Sequence, residues 1–153
     1  MTGRPEQALH IALVTALLGP LMGNGERNRA LGLLPPPWMV WHTPNGGGRS
    51  LIEASIFKGM GVRAGMPDLF VLGPCPYLIA IELKRPPAWL KSGKRSQAAP
   101  RVSPDQRKLI AALSACGVET IVASDIDDAL QTLAARGVPL RGMGQRFVQG
   151  TAS

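Results

Sequence analysis

Gly65-Met66-Pro67-Asp68-Leu69-Phe70-Val71-Leu72-Gly73-Pro74-Cys75-Pro76-Tyr77-Leu78-Ile79-Ala80-Ile81-Glu82-Leu83-Lys84 is the stretch that decides the fold. Two apolar, β-prone runs flank a Gly/Pro turn, the pattern of a hairpin. Charges stand only at the ends away from the turn: Asp68 before the first run, Glu82 and Lys84 closing the second. Leaving a carboxylate buried and unpaired costs on the order of several kcal/mol. Acids that end such runs therefore need a partner, and a divalent cation is one.

Side chains alternate along a strand, so Glu82 and Lys84 project from one face and Leu83 from the other. The turn decides whether Asp68 joins them. A five-residue loop, 73–77, pairs Leu72 with Leu78 and so Asp68 with Glu82. A four-residue loop pairs Leu72 with Tyr77 and puts the two acids on opposite faces, unless a bulge restores the register. The expectation is the five-residue register or a bulged four.

The chain has 153 residues, 45% apolar and 18% charged, within the range of one ordinary globular domain. Its net charge of +7 favours a polyanionic partner. Lys84, Arg85, Lys91, Lys94, Arg95, Arg101 and Arg107 crowd one region. Cys75 and Cys116 lack metal-ligand spacing and read as free thiols in a reducing, cytoplasmic setting, which disfavours zinc. The apolar run 8–22 is too short to span a bilayer and lacks the basic lead of a secretion signal, so no membrane association is expected.

Outward from the hairpin, Leu9, Ala12, Leu13, Ala16 and Leu17 recur at helical spacing over 5–18. Ile11, Val14 and Leu18 form a second stripe, so this helix is expected to be covered on two sides. Residues 19–37 read as irregular, 38–42 as a strand, 43–50 as a Gly-rich loop and 51–60 as a short helix. Ser103 caps a helix with Pro104 at its first position; Leu109, Ala112, Leu113 and Cys116 are its expected buried face and Gly117 its stop. A strand over 119–123 and a helix over 126–136, capped by Asp125, complete an α/β fold with a small mixed sheet flanked by helices. The domain is expected to span 1–136, with a basic flexible loop at 86–102 and a loose basic tail at 137–153.

These residues resemble the PD-(D/E)xK nucleases, and within them the virus-type replication-repair nuclease (VRR-NUC) domain. The likeness runs through Glu6, Asn45-Gly46-Gly47 with Arg49, Glu53, the segment 61–68, Ile81-Glu82-Leu83-Lys84-Arg85 and Ser103-Pro104-Asp105-Gln106. It covers nearly all of 6–131. It departs in a long Pro-bearing basic insertion after Lys84 and in the tail.

The resemblance implies a restriction-endonuclease-like core. It also implies Mg²⁺-dependent hydrolysis of DNA phosphodiesters, with Mn²⁺ as substitute, often at branched or flapped structures. Short stand-alone members tend to be phage- or prophage-encoded homodimers, and act in replication, repair or recombination. Asp68, Glu82 and the Leu83 backbone carbonyl would hold the metal, with Glu6 contacting it or its water. Lys84 would serve catalysis and Gln106 would stand beside it.

Asn45, Gly46, Gly47, Arg49, Lys58, Arg63, Arg85, Lys91, Lys94 and Arg95 are candidate DNA contacts, set against the reading of a plain solvated loop. Glu53 has a salt bridge as its alternative. His42 reads as a packed or hydrogen-bonded side chain. Trp38 and Trp41 read as core and edge packing, with Trp89 the better stacking candidate. The rival reading for the whole chain is a catalytically silent, nuclease-like module that binds DNA.

Overall fold

The computed structural model describes residues 5–43, 51–85, 92–93 and 102–143. The deciding hairpin forms β2 (Leu69–Gly73) and β3 (Tyr77–Leu83), with Leu72 opposite Leu78 and Leu69 opposite Ile81. The Leu72–Leu78 register expected for the longer loop is the observed one. The reversal is tighter, because Gly73 and Tyr77 themselves pair and leave Pro74–Pro76 as the tip. Cys75 adopts a φ of 68° there. A Cβ on Gly73 would stand 2.4 Å from the Trp38 indole, so the glycine makes room for that ring.

β1 (Met39–His42) pairs antiparallel with β2 and forms one edge of the sheet. β4 (Glu119–Ala123) runs parallel to β3 at the other edge. A parallel neighbour cannot be reached by a tight turn, and the chain crosses over through α3 (Pro104–Ala115). The order β1-β2-β3-β4 makes a mixed four-stranded sheet.

One face of the sheet holds the core. Leu69, Val71, Ile79, Ile81, Leu83, Ile121 and Ala123 pack against Leu13 and Leu17 of α1 (Pro5–Leu18) and against Ala129, Leu130 and Leu133 of α4 (Ile126–Ala135). The second stripe of α1 is covered in part: Val14 and Leu18 are half-buried against the core, while Ile11 is exposed and lines an open cleft. α2 (Leu51–Gly59) lies between β1 and β2 in sequence, with Leu51, Ile52 and Ile56 exposed.

The opposite face carries Phe70, Ala80 and Glu82, and α3 packs there against β4. That helix buries less than its apolar stripe suggests. Leu109 is buried and Leu113 half-buried, while Ala112 and Cys116 are exposed. The stripe outruns the sheet, since β4 is the edge strand and nothing in the described chain lies beyond it.

The expected loose tail also needs correction in its first part. Val138 and Leu140 are buried in the core, and Arg141 N–H donates to the Leu33 carbonyl at 2.8 Å. The Arg141 guanidinium reaches the carbonyls of Arg29, Ala30 and Gly32 at 3.0, 3.2 and 3.0 Å. Those carbonyls belong to the 3-10 turn at Arg29–Leu31 and to Gly32, its C-cap, where carbonyl groups left over by the turn need a donor. The folded unit therefore runs through residue 143, and 144–153 lie outside the described residues.

Candidate active site

The end of β3 and the start of α3 meet around one amide. Ser103 caps α3 by accepting from Gln106 N–H at 3.2 Å, and the Gln106 Oε1 accepts in return from Ser103 N–H at 2.8 Å. This reciprocal capping box fixes the Gln106 side chain, whose Oε1 also accepts from Lys84 Nζ at 2.9 Å. Gln106 Nε2 donates to Glu82 Oε1. Lys84 Nζ stands 2.8 Å from that same Glu82 oxygen. An ionised carboxylate only accepts and an ammonium only donates, so the amide has one orientation that satisfies both.

Glu82 is 3% exposed, the one buried charged residue among those described. Burial pushes its carboxyl above the usual range, and neighbouring Asp68 adds to that. The Lys84 ammonium and the Gln106 amide pull the other way. The site thus holds a carboxylate whose charge is costly and only partly compensated by protein groups. An added cation would offset the remainder.

Asp68 precedes β2 in register with Glu82, extending the pairs Leu69–Ile81 and His42–Leu69 by one residue. Its carbonyl accepts from Thr43 N–H at 3.0 Å and from His42 Nδ1 at 2.9 Å. Its Oδ2 accepts from Leu83 N–H at 2.8 Å. N–H and C=O of one strand residue point to the same side, so the Leu83 carbonyl is directed toward Asp68 as well. Asp68, Glu82 and the Leu83 carbonyl form a hard oxygen set at one end of the sheet. Such a set suits Mg²⁺ or Mn²⁺, which take one or two carboxylates and complete their shell with water.

Glu6 arrives from α1, and its Oε1 accepts from Arg85 N–H at 3.1 Å. It lines a cleft of about 460 Å³ together with Gln7, His10, Ile11, His42, Asp68 and Leu83. Glu6 and His10, one helical turn apart, share this wall. The His10 and His42 rings meet edge to face at 4.4 Å. Burial and the neighbouring His42 lower the His10 pKa, against a smaller opposing effect of Asp68.

Among the described residues, no three His, Cys, Asp or Glu side chains already converge as a metal cage. Glu6 borders the cleft and does not close a three-carboxylate cluster with Asp68 and Glu82.

The expected hydrogen-bonded role of His42 is what the structure shows. His10, Gln7 and Ile11 were missed as cleft residues, although the four-residue spacing of Glu6 and His10 was visible on one face. Lys58, Arg63 and Arg85 are exposed. Asn45, Gly46, Gly47, Arg49, Lys91, Lys94 and Arg95, and Trp89 with them, lie outside the described residues.

None of the described helices is long and apolar enough to cross a membrane. No family model and no curated protein matches the sequence. A solved structure described as "VRR_NUC domain protein" does match, at 22% identity and a TM-score of 0.56, over 88% of this chain and 89% of that one. The four-stranded mixed sheet, its flanking helices and the paired acids at its end belong to a chain with the fold of that VRR-NUC domain protein.

Proposed function

We propose that this chain is a VRR-NUC-type, divalent-metal-dependent deoxyribonuclease, an endonuclease selective for branched or flapped DNA. The observation that carries this reading is the Glu82–Lys84–Gln106 network set beside Asp68. A buried acid and a lysine ordered this tightly at a sheet end suit phosphodiester chemistry better than they suit packing. The fold match points the same way.

In this reading Asp68, Glu82 and the Leu83 carbonyl would hold Mg²⁺, with Mn²⁺ as substitute and Glu6 contacting its water shell. The bound cation supplies charge neutralisation and a more acidic water. Lys84 supplies a compact, positionable charge for a phosphate oxygen or for the attacking water. Gln106 keeps that ammonium in one place, and Glu82 holds it by charge. The excess of basic residues, with Lys58, Arg63 and Arg85 exposed, would track the DNA backbone, so affinity should fall steeply with salt. A homodimer acting in replication, repair or recombination fits the resemblance and is part of the proposal.

The deciding experiment is a cleavage panel of Holliday junctions, flaps, splayed arms and plain duplexes with Mg²⁺, comparing wild type with Asp68→Ala. Wild-type cutting that Asp68→Ala abolishes supports the reading. Binding without cutting by both proteins sinks it in favour of a silent DNA-binding module. Light scattering tests the dimer.

A further inference from the structure

Trp41 stands on β1, the edge strand, directly opposite Phe70. The two rings stack at 5.5 Å with an interplanar angle of 15°. Phe70 is 5% exposed, whereas Trp41 is 42% exposed. An exposed aromatic ring is ordinary by itself. This one is backed by a buried ring, and among the described residues no strand lies beyond β1 on its other side.

Its place in the sheet gives the second observation. Asp68 lies two residues before Phe70, so Trp41 and Asp68 are diagonal cross-strand neighbours, a relation that spans roughly 7–8 Å. Alternation puts Trp41, Phe70, Ala80 and Glu82 on one face of the sheet. A flat apolar surface of fixed orientation therefore adjoins the two acids of the candidate active site, in a chain of net charge +7. Every nucleobase has a face that can stack on such a ring, and a base inside a duplex has both faces already occupied.

Resting on the nuclease reading, we infer that Trp41, backed by Phe70, is a stacking platform for an unpaired nucleobase beside the bond to be cut. The substrate is then DNA in which a strand leaves the duplex at the active site. Trp41 selects for that departure without reading sequence, since stacking tolerates any base.

The test pairs protein variants with DNA variants. A forked duplex with two unpaired arms is compared with forks carrying one abasic nucleotide, scanned over the first three unpaired positions of each arm. Binding is measured by fluorescence anisotropy with Mg²⁺ omitted, for wild type, Trp41→Ala, Trp41→Leu and Trp41→Phe, each confirmed folded by circular dichroism. Each stacked base contributes to binding, so wild type should lose about tenfold at one abasic position.

Trp41→Ala and Trp41→Leu should bind the intact fork about tenfold more weakly and lose nothing further at that position, the non-additivity of groups that touch. Trp41→Phe, which keeps a π face, should retain the dependence on the base. Additive losses, or no sensitive position, overturn the inference. So does a Trp41→Ala protein whose oligomeric state changes in light scattering while its base dependence persists, because the face then belongs to a second copy. Wild type that cleaves the fork without this coupling refutes the platform alone; wild type that binds no DNA refutes the nuclease reading with it.

Discussion

Gln106 donates through Nε2 to the buried carboxylate of Glu82 while its own Oε1 accepts from Lys84 and from the backbone of Ser103. One side chain therefore serves as helix cap and as clamp on the candidate catalytic pair. Those two duties can be separated. Gln106→Ala removes both and leaves the buried Glu82 carboxylate one donor short, so it should cost about 1–3 kcal/mol of stability and reduce cleavage tenfold or more. Ser103→Ala removes only the hydroxyl half of the capping box and should cost about 1 kcal/mol, with far less effect on cleavage. Thermal melts beside single-turnover rates test this. Equal loss of cleavage in both variants would show that Gln106 acts only through the helix.

Lys84 is half-buried, and its charge sits against Glu82 at 2.8 Å. Lys84→Met keeps the stem and deletes the ammonium. Loss of one preorganised charged group at a transition state commonly lowers the rate by about 10²–10³, and that is the expected fall in cleavage. DNA binding without Mg²⁺ should persist, because Lys84 is one of many cations on a basic chain. Cleavage at the wild-type rate would remove Lys84 from the mechanism.

Glu82 also predicts a pH effect on the metal-free protein. Its carboxyl titrates higher when folded than when unfolded, chiefly through burial. The folded state then holds the proton over a pH range in which the unfolded state has released it. The resulting stability is fully present below the unfolded pKa and is lost as pH rises through the folded one. Glu82→Gln removes this contribution. Melting temperatures taken upward from mildly acidic pH should therefore decline more for wild type than for Glu82→Gln. Parallel curves would contradict the assignment.

The hairpin register was readable because a Gly/Pro turn and strict alternation leave few ways to pair Asp68 with Glu82. Gln106 and Lys84 could be named from the resemblance, yet nothing in their spacing of 22 residues announced a hydrogen bond. His10 was missed because a histidine on an apolar helix shows a face and not what it meets. The apolar stripe of α3 suggested more burial than it has, since a stripe says which side turns inward and not how wide the sheet is. Val138 and Leu140 were lost among glycine, proline and arginine. They are buried in one cluster with Leu13 and Leu17 of α1 and Leu130 and Leu133 of α4, residues that only the assembled fold brings together.

Gly65 joins the hairpin to the helix that carries Gln106. Its φ is +78°, and a Cβ there would lie 2.7–2.9 Å from backbone atoms of Asp105 and Gln106. Backbone of a capped helix cannot swing aside as a flexible side chain would, so Gly65→Ala must push the first turn of α3 away from β3. The positive φ alone costs about 1–2 kcal/mol in a residue with a Cβ. The displacement should also stretch the bonds from Gln106 to Glu82 and Lys84, lowering kcat several-fold with little change in KM. Gly117→Ala is the matched comparison, because its φ is +81° and a Cβ there meets no atom within 4 Å. If Gly65→Ala and Gly117→Ala lose stability and activity alike, the contact between the hairpin approach and α3 does not hold the site together.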